Sequence, residues 1–265
     1  MTHREFQKTI WEYYKKNRRD FPWRIPNKGL TPYHILVSEI MLQQTQADRV
    51  VSKYESFIKK FPDFKSLAEA PLQEVLKEWK GLGYNRRGLN LKRLAVEIME
   101  KHNGELPRDP EALLELPGIG PGTVGSILAF AFNLPHPFIE TNIRSVYIHF
   151  FKKTHDKEII ALAGKTMDKE NPREWHYALM DYGVMLKKLH KNPSRKSVHY
   201  KKQTAFKGST RELRAQVLQC IVEQPNSVKE LSRILKKDGE VLARLVDDLT
   251  HEGFIVPRSG VYYIV

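Results

Sequence analysis

Two glutamates stand in stretches that would set their carboxyls apart. In PYHILVSEIMLQQTQ (32–46), Glu39 falls four residues after Ile35 and three before Leu42. On a helix that spacing puts it on an apolar stripe rather than on the solvent face. Burial disfavours the charged form, so this acid is expected to keep its proton near neutrality. In HPFIETNIRS (136–145), Glu140 follows Pro135, Pro137 and Ile139 and precedes a helix start near Asn142. A helix N-terminus with an amide donor beside it favours the anion. One carboxyl held neutral and one held ionised is the arrangement that cleavage of a glycosidic bond requires. The first protonates the leaving group, and the second stabilises positive charge growing on the sugar. Taken singly, neither is specific. A buried Glu also serves as partner to a backbone group or an Arg, and Glu140 alone reads as a helix cap.

The stretch LELPGIGPGTVGSILAFAF (114–132) adds a third element. A short helix ends near Glu115, Leu116-Pro117-Gly118-Ile119-Gly120 turns, and a small-residue helix follows. Glycines let the backbone approach a ligand, and N–H groups at a helix start favour an anion. Gly118, Gly120, Gly122 and Thr123 are therefore candidate phosphate-binding residues, with Leu116 and Ile119 anchoring the turn in the core. A monovalent or divalent cation at this hairpin is compatible with the same reading.

The elements that must position these groups are helical. Thr2 and Glu5 form a capping box ahead of Phe6, Ile10, Trp11 and Tyr14. Thr31-Pro32 starts a helix through about residue 43. Further patterns run near 47–61, 71–79, 86–102, 109–115, 122–132, 142–151, 157–168 and 172–190, and no strand is convincing there. The fold class expected is all-α, with 1–190 as the main domain. Residues 191–208 read as a basic loop or linker, and 209–265 as a separate small domain. That last segment has a helix at 213–221, a capping box at Ser227 and Glu230, a helix at 241–249 and a closing hairpin, which together suggest a winged helix. Its third helix carries Glu240, Arg244, Asp247, Asp248 and His251, a poor charge pattern for reading DNA. Docking on the main domain or on a protein partner fits it at least as well.

The 265 residues carry a net charge of +13, which points to a polyanionic partner. Residues 209–265 hold eight Lys/Arg and eight Asp/Glu, so the whole excess lies in the first 208. Ten of the 22 residues 187–208 are Lys, Arg or His, either a solvated linker or a loop lying on phosphates. Cys220, the one cysteine, excludes an intrachain disulfide and a four-cysteine metal or iron–sulfur site within the chain. It lies at helical spacing among Leu213, Val217 and Ile221, as a small buried apolar residue would. No apolar run approaches a membrane span. The start MTHREFQKTI has no apolar signal core, so a cytoplasmic protein, associated with the nucleoid in a prokaryote, is expected.

Residues 1 to about 190 resemble the endonuclease III superfamily of helix-hairpin-helix DNA glycosylases, and within it the MutY-type adenine DNA glycosylases. The resemblance rests on FPWR (21–24), PYHILVSEIMLQQTQ, EWKGLGYNRR (78–87), LPGIGPGTVGSI (116–127) and FIETNIRSV (138–146). It implies a two-lobed helical fold and a DNA N-glycosylase that removes a base from mispaired or damaged double-stranded DNA in base excision repair. Adenine opposite guanine or 8-oxoguanine is the expected target. Glu39 would protonate adenine at N7, and Glu140 would stabilise the oxocarbenium ion. Arg24 and Asn142 would help build the base pocket, and Gln44 would wedge into the stack as the base flips out.

Departures from the family pattern shape the expectation. The family carboxylate is usually Asp, where this chain has the longer Glu140; its extra methylene could reach across space left by a small residue such as Gly122. Gly122 stands where bifunctional members have lysine, so base removal without lyase cleavage follows; the Tyr pocket contact of adenine enzymes is missing there too. Asn85 replaces a second Tyr at a DNA-inserting position. The cluster cysteines, due after residue 186, give way to the basic segment, which would replace their loop in holding DNA, and no cofactor is expected. On the same resemblance, the winged-helix-like segment is expected to stand in place of the usual C-terminal domain that checks for oxidised guanine. A monomer without membrane contact is expected. The alternatives are another base (uracil, thymine or a damaged purine), or a DNA-binding regulator without catalysis.

Overall fold

The computed structural model describes residues 1–24, 29–190, 192–202 and 205–265. The chain is mostly helical. In order come α1 (His3–Asn17), α2 (Pro32–Leu42), α3 (Ala47–Lys60), α4 (Phe64–Glu69), α5 (Leu72–Trp79), α6 (Arg86–Lys101) and α7 (Pro110–Glu115). They are followed by α8 (Pro121–Phe130), α9 (Thr141–Phe151), α10 (Asp156–Thr166), α11 (Pro172–Leu189), α12 (Thr210–Glu223), α13 (Val228–Leu235) and α14 (Gly239–His251). Three short strands, β1 (Asn226–Ser227), β2 (Ile255–Arg258) and β3 (Val261–Ile264), form an antiparallel sheet in the order β1-β3-β2. Among the described residues no helix is long and apolar enough to cross a membrane.

Local chemistry sets the boundaries. The Thr2–Glu5 capping box forms, with the Glu5 carboxylate 2.7 Å from the Thr2 amide. The Ser227–Glu230 box forms likewise. Asp63 and Ser66 make a third box at α4, a six-residue helix that sequence periodicity does not reveal. So short a segment completes fewer than two turns, too few for a 3.6-residue stripe to register.

Two compact units are present. One comprises Met1–Ile40 with Leu106–Lys202, and the other Met41–Glu105 with Gln203–Val265. In the first unit α1, α9, α10 and α11 bury Phe6, Ile10, Val146, Tyr147 and Trp175 in one core. Phe6 sits edge-on to Phe151 and Trp175, with ring centroids 5.0 and 5.8 Å apart.

In the second unit α12–α14 and the sheet share a core with the preceding helices: Val217, Ile221, Leu245, Leu249 and Phe254 pack with Leu72, Leu76 and Leu89. Gln73 Nε2 donates to the Val222 carbonyl at 2.7 Å, and Lys80 pairs with Glu223 at 3.0 Å. Glu252 takes Arg86 at 2.8 Å and Arg214 at 2.6 Å, while Arg93 donates to the Glu252 carbonyl at 3.0 Å. The C-terminal segment has the order helix, strand, helix, helix, hairpin, and it is docked on α5 and α6 rather than set apart from them. Its third helix, α14, buries Leu242, Leu245, Val246 and Leu249 and exposes the mixed charges Glu240, Arg244, Asp247 and Asp248. Cys220 is partly buried against the same core.

Candidate active site

The helix α2 is apolar on every side: Tyr33, Ile35, Leu36, Val37, Ile40 and Met41 are all buried. Such a helix lies inside the protein rather than on its surface. Glu39 is its only acid, and its side chain keeps a partial opening to solvent. Burial pushes its carboxyl up to about 7, and the charge of Glu140 adds to that; Ser126 and Arg24 pull the other way. The expectation from spacing is met, in a stronger form than a stripe.

Arg24 ends a 3-10 turn at Pro22–Arg24 and is 4% exposed. Its Nη1 donates to both oxygens of Asp181, at 3.0 and 3.1 Å. The guanidinium lies 4.2 Å from the centroid of the Tyr177 ring and 5.2 Å from that of Phe21. Arg19 closes the group, its backbone N and Nε reaching Asp181 at 3.0 and 2.7 Å. A buried charge is tolerable only when paired in this way.

Glu140 is the N-cap of α9. One carboxylate oxygen accepts from the Asn142 and Ile143 amides at 2.7 and 2.8 Å, and the other from Asn142 Nδ2 at 3.0 Å. Three N–H donors thus converge on this carboxyl at the helix N-terminus. The longer side chain folds back onto its own helix. Beside it, a Cβ added at Gly122 would meet the Ile139 carbonyl at 3.5 Å, so the hairpin helix α8 runs along the chain that leads to Glu140. Gly125 fixes that approach: a Cβ there would come within 2.3 Å of Phe138 Cβ. Glu39, Glu140, Arg24, Asn142 and Gly122 thus all lie in the first unit, and the electrostatic influence of Glu140 and Arg24 on Glu39 brings three of them within range of one another.

The hairpin itself joins α7 to α8 through Leu116 and Ile119, both buried, and through Gly118 at φ +82°. Gly120 is the N-cap of α8 and supplies no side-chain cap. Gly118 and Gly122 are exposed; Gly120 and Thr123 are partly so. The backbone of this turn therefore faces outward, as an anion-binding turn requires.

Gln44 and Asn85 belong to the second unit. Gln44 is exposed at φ +56°, and Tyr84, just before Asn85, is exposed at φ +48°. Asn85 itself is the half-buried residue preceding α6. One guanidinium holds both turns. Arg87 Nη1 donates to the Met41 and Gln43 carbonyls at 2.8 and 2.5 Å. Its Nη2 reaches Thr45 Oγ1, the Leu82 carbonyl and the Gly83 carbonyl at 3.0, 3.2 and 3.1 Å.

The basic segment is not a loose linker along its whole length. Asn192 caps a short turn at Pro193–Lys196, Ser194 and Ser197 are buried, and the Val198 amide donates to the Thr154 carbonyl at 3.3 Å. Lys188, His190, Arg195, Lys196, His199, Lys201 and Lys202 remain exposed.

Sequence reasoning missed Ser126, Tyr177, Asp181, Lys187, Tyr84 and Arg87. Asp181 carried a usable signal, an acid inside the helical run ALMDYGVML, four residues after Tyr177 on the same face. Arg87 carried none, because carbonyls such as those of Met41, Gln43, Leu82 and Gly83 are partners that no spacing announces.

The fold has counterparts among known proteins. Residues 37–171 match the HhH-GPD superfamily of base excision DNA repair proteins, and the chain belongs to that family. The adenine DNA glycosylase of Buchnera aphidicola subsp. Baizongia pistaciae (strain Bp) is 37% identical over 192 residues, covering 70% of this chain and 54% of that protein. The chain spans about half the length of the curated relatives it matches. A thermostable thymine-DNA glycosylase of known structure superposes with a TM-score of 0.64 at 30% identity, over 69% of this chain and 86% of that one. Endonuclease III in a trapped covalent intermediate with DNA shares the fold, with a TM-score of 0.56 at 19% identity over 78% of this chain and 91% of its own. An iron–sulfur cluster held by four cysteines does not fit this chain, whose one thiol lies in α12. Among the described residues no three His, Cys, Asp or Glu side chains are grouped to hold a metal.

Proposed function

We propose that the chain is a monofunctional DNA glycosylase that hydrolyses the N-glycosidic bond of a flipped adenine mispaired with guanine or 8-oxoguanine. It would act as a monomer in the compartment that holds the DNA, without a cofactor. The observation that carries this reading is the pair Glu39 and Glu140. One carboxyl is pushed up to about 7 by burial; the other accepts three N–H donors at a helix start. Protonated Glu39 gives its proton to adenine N7 as the bond from C1′ to N9 breaks, and the electron pair leaves with the base. Glu140 stabilises the resulting oxocarbenium ion until water adds at C1′ and gives up its proton to solvent, from which Glu39 is reprotonated. Arg24 and Asn142 hold the pocket, and Gly118, Gly120, Gly122 and Thr123 offer the hairpin backbone to a phosphate. Gln44 and the neighbouring turn at Tyr84–Asn85 fill the gap left by the flipped base. The exposed cations of 188–202 lie along the backbone of the duplex.

With glycine at 122, the hairpin helix offers no amine to attack C1′, so the product is an intact strand with an abasic site. A second reading, thymine as the base removed, draws support from the likeness to the thymine-DNA glycosylase and from the departures at Gly122 and Asn85.

Duplexes bearing A:G, A:8-oxoguanine, T:G and U:G pairs, incubated with the protein and then treated with hot alkali, separate these readings. Release from the adenine duplexes is expected. Preference for T:G would establish the second reading, and strand breaks before alkali would overturn the monofunctional one. Glu39→Gln and Glu140→Gln should each abolish release while duplex binding persists; full activity in either removes the two-carboxylate mechanism.

A further inference from the structure

Glu140 does not hold its partner Asn142 alone. On the far side of that carboxamide, Lys187 Nζ donates to Asn142 Oδ1 at 2.7 Å, while Asn142 Nδ2 donates to Glu140 at 3.0 Å. An ammonium offers donors only and a carboxylate acceptors only, so the amide between them has one allowed orientation. Pinned at both ends, it is also polarised, its oxygen against a cation and its N–H against an anion.

The helix α11 is built to deliver this contact. Gly183 lies one turn before Lys187, and a Cβ added there would come within 2.4 Å of the Asn142 carbonyl oxygen and 2.7 Å of Asn142 Cβ. Only a residue without a side chain lets α11 run against α9 at that point, and four residues on, the same face presents Lys187. Lys187 is half-buried, whereas its neighbour Lys188 is exposed. The surroundings act on its ammonium in two directions: burial lowers its pKa first, Glu140 raises it, and Arg144 lowers it. An exposed lysine meant for phosphates would have no such neighbours.

We propose that Lys187 is a positioning residue for the Glu140 carboxylate, acting through Asn142, and not one of the DNA-binding cations of the basic segment it opens. The proposal rests on the glycosylase reading for its kinetic consequence, but not for its geometry.

The test uses the full chain and two readouts. In single-turnover base release from an adenine-containing duplex at saturating protein, Lys187→Met is expected to slow the rate roughly 10-fold, with Lys187→Arg recovering most of it. In an Asn142→Ala background the same Lys187→Met change should cost less than about 2-fold, because the link it served is gone. Equal losses in both backgrounds overturn the proposal, as does weaker duplex binding with an unchanged saturating rate. The second readout needs no catalysis. The Asn142 side-chain amide resonance, assigned by its disappearance in Asn142→Ala, should exchange with water about 10-fold faster in Lys187→Met and at the original rate in Lys187→Arg. Unchanged exchange in Lys187→Met overturns the proposal even if the protein releases no base. Absence of release by the unaltered protein, with faster exchange in the variant, would instead remove the glycosylase reading alone.

Discussion

Arg24 and Asp181 meet inside the first unit as a buried ion pair, with Nη1 3.0 Å from Oδ1 and 3.1 Å from Oδ2. Asp181 also takes two donors from Arg19, so one carboxylate neutralises and fixes the whole FPWR turn. Asp181→Ala would strand a guanidinium that is 4% exposed. Breaking a buried pair from one side costs roughly 3–5 kcal/mol. A corresponding fall in the unfolding free energy, read from a lowered urea midpoint, is expected. Asp181→Asn should cost less, since it keeps an acceptor for Arg24. A midpoint unchanged in Asp181→Ala would mean the pair carries no structural role.

The carboxyl of Glu39, held at about 7, gives base release a defined pH profile. In the proposed mechanism the protonated form is the active one. Release should therefore be flat below about pH 6 and fall roughly tenfold per unit above about pH 8. The same shift acts on stability with a sign that can be worked out. A carboxyl raised from 4.5 to about 7 by burial stays protonated in the folded chain over a range where the unfolded chain has lost the proton. Its favourable contribution is full below 4.5 and is lost as pH rises through about 7, roughly 3 kcal/mol in all. Glu39→Gln, neutral at every pH, should be more stable than the unaltered protein at pH 8 and inactive. Equal urea midpoints for the two at that pH would contradict the burial account.

Gln44 at φ +56° occupies a left-handed conformation that a non-glycine residue enters at a cost of about 1–2 kcal/mol. Gln44→Gly should therefore raise stability slightly, by about 0.5–1 kcal/mol, and, if Gln44 fills the vacated stack as proposed, slow base release. Arg87→Lys tests the support beneath it. A single ammonium cannot span the carbonyls of Met41, Gln43, Leu82 and Gly83 together, so a loss of roughly 2–3 kcal/mol is expected. Unchanged kinetics in both variants would remove these turns from the mechanism.

Truncation after residue 208 would strip Leu72, Leu76 and Leu89 of their partners Val217, Ile221, Leu245 and Phe254. At about 1.5–3 kcal/mol for each apolar side chain uncovered, these three leucines amount to about 4.5–9 kcal/mol, comparable with the whole stability of an ordinary domain. The truncated chain is expected to aggregate or to lose its cooperative thermal transition. A soluble fragment with the original melting temperature would mean that the docked segment contributes nothing to the fold.

How much of this was legible beforehand varies with range along the chain. The boundaries of α1, α6, α8 and α9 follow from caps and periodicity, which act over a few residues. Glu39 was legible because an acid inside an unbroken apolar helix is a local anomaly. The hairpin at 116–120 was legible because its glycines and its two anchors sit within five residues. Lys187 was not. Its partner lies 45 positions away, and it sat among basic residues that composition treats alike. The docking of 209–265 is not fixed by the sequence for a related reason: the apolar faces of α12 and α14 show that something covers them, and only the folded chain shows that α5 and α6 do. Glu140 presents an intermediate case. Its place at a helix start was readable, whereas the use of its extra length, bent back to three N–H donors, depends on side-chain geometry.

Gly183 leaves a mark that a mutational survey would register. With the Asn142 backbone seated where a side chain would go, position 183 should accept a single amino acid in a saturation library, alanine included among the losses. Gly120 on the hairpin would look the opposite in such a library when only folding is scored, since an added Cβ there meets nothing within 4 Å. Scored for survival on mismatched DNA, the two columns should converge. That contrast between the two screens would sort this chain's glycines into those that serve its architecture and those that serve its ligand.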